Sequence, residues 1–179
     1  MSPRRIAPRL AALLAAPIAL IAALPASAQE PKSLGSFRDW SAFVFEEGNR
    51  KTCYMVSRPK NQEGLAAGAR RGDVYAMVTH RPAERSLNVV SVLAGYTYQG
   101  SSEATVQIGN QTFRLFTDGD GAWARDEATD RQIVNAMRGG QTMAVNGQSS
   151  RGTKTKDSYS LSGFSAAYQA INQACGVKS

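Results

Sequence analysis

Cys53 and Cys175 are the two cysteines in this chain of 179 residues, and the second lies four residues from the C-terminus. A bond between them would tie the closing segment of the chain to an early one. Closing so long a loop constrains the unfolded chain by roughly 4–5 kcal/mol on a loop-entropy argument. Any fold for this sequence must then bring those two segments together. Whether the sulfurs are oxidised depends on the compartment, and the N-terminus addresses that.

Arg4, Arg5 and Arg9 precede an apolar run from Leu10 to Leu24 that only Pro17 interrupts. Ala26-Ser27-Ala28 follows, a small-x-small cleavage pattern before Gln29. This is the layout of a secretory signal peptide over residues 1–28. The run is shorter than the roughly 20 residues that span a bilayer. No later stretch is apolar enough to do so, and no cysteine follows the cleavage pattern for lipid attachment. Export, to the periplasm, the outer envelope or beyond, puts the thiols in an oxidising setting. Two cysteines allow one intramolecular pairing. A metal site wants more ligands than a chain with one histidine offers, and a catalytic thiol would have only His80 as its base. A structural disulfide, Cys53 to Cys175, is the expectation.

Removing the leader takes three arginines and no acid, which leaves 18 basic against 14 acidic residues, a balance of +4. That suits a neighbour of anionic envelope surfaces and gives little reason to expect nucleic acid as a partner. Residues 29–36 read as a flexible polar segment, and 37–179 as a single domain with one core.

Within that domain, eight runs read as strands: 39–47, 51–57, 74–81, 86–96, two around a Gly109-Asn110 hairpin signal within 105–116, 142–147 and 153–161. In the first, Trp40, Ala42 and Val44 occupy one parity and Phe43 and Phe45 the other. Such runs with turns between them predict an all-β, antiparallel sandwich. Two segments have helical spacing. Acids precede Ile133, Val134 and Met137, with Arg138 and Gly139-Gly140 closing a short helix. Phe164, Tyr168, Ile171 and Cys175 share one face of a C-terminal helix, which Ser162 would cap and Gly176 would end. The disulfide should therefore staple that helix to the strand carrying Cys53.

On the strand Thr153–Leu161, Lys154, Lys156, Ser158 and Ser160 form a solvated row. Asp157 falls in the other row with Tyr159 and Leu161. A buried carboxylate needs a partner, for which Arg151 or a neighbouring hydroxyl is the candidate. Arg70, Arg71, Arg151, Lys154 and Lys156 are the candidate surface cations for binding. Trp40 and Trp123 are expected in or near the core.

THRPAE (79–84), RLFTDGDGAWA (114–124), SSRGTKTKDSYSLSGF (149–164), CYMVSRPK (53–60) and the closing Cys175 resemble the bacterial invasion-associated locus B family. The likeness runs in order from about Trp40 to Cys175. It implies an exported envelope protein with an immunoglobulin-like sandwich, and a family name tied to host-cell entry. It brings no reaction, ligand or catalytic residue.

Short motifs point to chemistry only weakly. Ser57-Arg58-Pro59-Lys60 fits S-x-x-K, yet the serine ends a strand, Pro59 opposes a helix, and the companion motifs are absent. His80 has no marked triad partner, since no G-x-S-x-G occurs. Asp118-Gly119-Asp120-Gly121 lacks the closing glutamate of a calcium loop and suits a turn. Arg71-Gly72-Asp73 is an integrin-type tripeptide of a kind that arises by chance. The sequence thus favours a non-catalytic envelope protein that contacts another envelope or host protein, or an anionic envelope component, with no cofactor. The alternatives are a periplasmic hydrolase with a Ser or carboxylate site, and a carrier of a small apolar ligand between the sheets.

Overall fold

The computed structural model describes residues 30–64 and 70–178, so the leader lies outside the described residues. The strands are β1 (Lys32–Phe37), β2 (Trp40–Glu47), β3 (Arg50–Ser57), β4 (Asn61–Glu63), β5 (Tyr75–Arg81), β6 (Ser86–Leu93), β7 (Glu103–Ile108), β8 (Gln111–Asp118), β9 (Gly121–Trp123), β10 (Thr142–Gln148) and β11 (Lys154–Ser160). The helices are α1 (Glu127–Gly139) and α2 (Phe164–Cys175), and Pro82–Glu84 make a 3-10 turn.

All pairings are antiparallel, in the order β1-β2-β3-β5-β6-β9-β8-β7-β10-β11-β4. The fold is an all-β sandwich with two helices, one of them C-terminal, whose halves are joined in one ladder by the three-residue β9. The two ends of the ladder approach each other. Trp40 Nε1 in β2 donates to the Ser160 carbonyl at the end of β11, 3.0 Å away. Inward rows of both halves meet in one core with the buried faces of α1 and α2.

The strands missed by sequence reading are β1, β4 and β9. Residues 32–36, expected to be flexible, are paired with β2 instead. Their polar side chains hid a strand whose order comes from backbone hydrogen bonds to a neighbour. Strand β4 lies inside what reads as a loop and pairs with β11. Strand β9 requires a glycine, because a Cβ on Gly121 would sit 2.1 Å from the Trp123 indole.

α2 packs against β1, β2, β3 and β5. Phe164 meets Trp40 edge-on at 5.1 Å, and burial of each such large apolar side chain contributes about 1.5–3 kcal/mol. Ser162 does not cap the helix. The N-cap is Gly163, at φ +89°, where a Cβ would strike the Phe37 carbonyl oxygen at 1.8 Å. Gly176 ends the helix in the left-handed conformation, as its position predicts.

α1 is capped by Asp126, whose carboxylate accepts from the Thr129 amide at 2.8 Å. It lies along β6 where β9, which pairs only with Ser91–Leu93, leaves an edge open. Asp130 accepts the Val90 amide there at 2.8 Å, and its burial pushes the carboxyl up to about 6.

Candidate functional site

The groups that chemistry would need are held by the scaffold. His80 in β5 stands opposite Cys53 in β3, and both are fully buried. Its Nδ1 accepts from the Asn88 amide at 3.0 Å, so the proton of the neutral ring sits on Nε2. Nε2 donates to Asn172 Oδ1 of α2 at 2.8 Å. Burial lowers the histidine pKa more than the Asn172 bond raises it. The Tyr168 hydroxyl donates to Asn88 Oδ1 at 2.6 Å, and Asn88 adopts φ +62°, a left-handed conformation that asparagine tolerates. The Cys53–Cys175 disulfide closes the same block, with Cα atoms 6.0 Å apart. One bond and four polar side chains thus fasten α2 to the sheet at a single place.

Ser57 is buried at the end of β3 and donates to the Asp39 carbonyl at 2.7 Å. Lys60, the other half of the S-x-x-K match, pairs instead with the Asp39 carboxylate at 2.5 Å. Asp118 to Gly121 turn β8 into β9, with Gly119 at φ +57°. Among the described residues, no three His, Cys, Asp or Glu side chains gather as metal ligands.

Arg71 corrects two expectations. It is not a surface cation but the partner of Asp157, in place of Arg151, which is exposed. The guanidinium donates to both Asp157 oxygens at 2.7 Å and through Nε to the Ala94 carbonyl at 2.8 Å. It also lies 4.9 Å over the Tyr96 ring, whose hydroxyl bonds Thr155 Oγ1 at 2.6 Å. Burial in an interior of low polarity makes a lone carboxylate costly, so the arginine is drawn in to neutralise it. The integrin-type tripeptide therefore cannot present its arginine. Tyr159 and Tyr98 complete this cluster, with both hydroxyls pushed up by burial.

The outer faces of the two halves differ in chemistry. On the β7-β10-β11-β4 half, Thr105, Asn146, Lys156 and Glu63 stand side by side in one cross-strand row. A cleft of about 440 Å³ opens there, with Lys154 and Lys156 facing Glu63 and Glu103. Its lining thus mixes two cations with two carboxylates. Glu103 is further committed, its carboxyl held low by hydrogen bonds from Arg114 and Arg125. Arg151 and Arg70 are exposed but do not line this cleft.

The outward face of β2-β3-β5-β6-β9-β8 carries a band of aromatic and aliphatic side chains, in which Thr79 and Ser91 are the buried polar members. Val56, Met77, Ser91, Trp123 and Phe116 form one row across it, and Phe43, Tyr54, Thr79 and Val89 the next. Phe43 stacks on Tyr54 at 5.3 Å, and Trp123 lies tilted beside Phe116 at 5.8 Å. Trp123, expected near the core, is on this outer face instead, laid across Gly121, whereas Trp40 is buried. Sequence reading missed this face, although the signal was present in the first strand. Apolar residues on both parities of a strand mean that its second face is either covered or exposed as a contact surface.

No helix among the described residues is long and apolar enough to cross a membrane. The disulfide is the mark of an extracytoplasmic protein. The fold is similar to that of a solved structure described as invasion associated protein b from Bartonella henselae, with a TM-score of 0.51 and 19% identity over 84% of this chain and 99% of that one. No curated protein matches the chain. The family profile described as invasion associated locus B (IalB) protein matches residues 40–172, nearly the whole sandwich together with α1 and most of α2, and the chain belongs to that family.

Proposed function

We propose that this chain is an exported, non-catalytic binding protein of the bacterial envelope, acting in the periplasm or at the outer surface through contact with another protein or an anionic envelope component. The observation that carries this reading is the division of labour between its polar groups and its aromatic ones. His80, Ser57, Arg71 and Asp157, the side chains a hydrolase would enlist, are bonded to structural partners. Tyr54, Met77, Phe116 and Trp123 remain on an outer face. Aromatic residues, Met and Arg are the types enriched in protein interfaces. Arg70, Arg151, Lys154 and Lys156 are exposed and would add a salt-dependent hold on an anionic partner. The family and the Bartonella henselae protein are both described as invasion associated, and host-cell association by this chain would use the same surfaces.

Crosslinking in intact cells, followed by mass spectrometry of material purified with the mature chain, tests this. Repeated recovery of one envelope or host protein supports the reading. Hydrolysis of a peptide, ester or glycoside panel that is lost on substitution of one side chain would replace it.

A further inference from the structure

At one end of this aromatic band a cleft of about 450 Å³ opens to solvent. Phe43, Val56 and Tyr75 line it, and Arg38, Arg58 and Lys60 rim it against one carboxylate, Asp39. Lys60 already holds Asp39, whose carboxyl is kept low chiefly by that hydrogen bond. Arg58 lies 4.4 Å over the Tyr75 ring and donates to the Tyr75 hydroxyl. Stacking orders its guanidinium, yet the side chain stays 65% exposed, with only a 3.3 Å contact to Asp73. Arg38 is the third cation, in the two-residue turn between β1 and β2 at φ +55°. Such a turn is better served by glycine or asparagine.

We propose that this cleft receives an apolar segment of a protein partner that carries a carboxylate. The inference rests on the binding reading above and names its site and chemistry. The apolar floor gains by covering aromatic and aliphatic surface. Three cations against two carboxylates, Asp39 paired with Lys60 and Asp73 touching Arg58, leave one positive charge in excess, which favours an anionic group at the rim, and the ordered Arg58 fork suits a carboxylate. The site is concave, so a protruding side chain fits it better than a lipid surface does.

Two experiments decide it. The first titrates the isotope-labelled mature protein with acetylated, amidated Glu-Leu-Asp-Phe, with its Gln-Leu-Asn-Phe counterpart, and with phosphatidylglycerol vesicles. The acidic peptide is expected to shift the amides of Phe43, Val56 and Tyr75. It should weaken about tenfold with Arg58→Gln and Lys60→Gln together, the loss of charge-assisted hydrogen bonds. Both side chains are exposed, so these variants should keep the parent melting temperature. Equal binding of both peptides, shifts elsewhere, or binding of vesicles alone overturns the proposal. The second places a photocrosslinker at Ser41 in the cleft, or at Lys156 on the polar face, in intact cells. A partner peptide rich in Asp or Glu joined at Ser41 supports it. Lipid or a second copy of this chain at Ser41 overturns it. A protein joined at Lys156 and not at Ser41 overturns the cleft while leaving surface binding intact, and no product at either position overturns both.

Discussion

Arg71 and Asp157 are 86 residues apart in the chain and form a two-bonded ion pair whose side chains are 4% and 3% exposed. Removing one partner leaves a buried charge without compensation, which costs about 3–5 kcal/mol. Asp157→Asn should therefore lower stability in urea unfolding by that order. Arg71→Met with Asp157→Leu should recover most of the loss, because apolar replacement of both members removes the desolvation penalty too. An Asp157→Asn variant as stable as the parent would show that the pair does not hold the two segments.

Opening the disulfide should release α2 before the sheet. Cys53→Ala with Cys175→Ala is expected to cost about 2–5 kcal/mol. The His80–Asn172 bond and the Phe164–Trp40 contact remain to hold the helix. Hydrogen exchange with and without reductant is the measurement. Amides of residues 164–175 should lose protection on reduction, while those of β5 and β6 keep it. Uniform loss would mean that the helix and the sheet unfold as one unit.

Two buried groups give opposite pH dependences. Burial lowers the folded pKa of His80. As pH falls below the ordinary histidine value of about 6.5, the unfolded chain takes up a proton that the folded one resists, and stability is lost. Asp130 is raised, to about 6. Between about pH 4 and that value the folded chain holds the extra proton, so stability falls as pH rises through the window. The two partly cancel. Asp130→Asn should steepen the loss of stability on acidification, by on the order of 1–2 kcal/mol across about pH 6.5 to 4. His80→Gln should flatten it. Denaturant midpoints at a series of pH values measure both, and parallel profiles for parent and variants would count against the assignment.

Much of the fold was legible where side chains obey the period of their element. The alternation Thr155, Asp157, Tyr159 against Lys154, Lys156, Ser158 in β11 is the alternation of buried and less buried side chains in the structure. The stripe Phe164, Tyr168, Ile171 of α2 is buried as its spacing predicts. Strand β1 was not legible, because polar residues ordered by a neighbour's backbone carry no hydrophobic period. The candidate site was less legible. Val56, Met77 and Trp123 come from three strands and fall in one cross-strand row, with Ser91 between the last two, only through their register.

Local chemistry thus settled both helices and eight of the eleven strands, which parity of β11 turns inward, and that the two sulfurs would meet, since period and composition act over a few residues and a pair of cysteines has one internal bond to make. Tertiary structure decided that Arg71 rather than Arg151 answers Asp157, that Trp123 lies on an outer face, and that one half of the sandwich is aromatic outside while the other is polar. Those outcomes depend on strand order and register, which bring distant residues side by side and which no short stretch of sequence encodes.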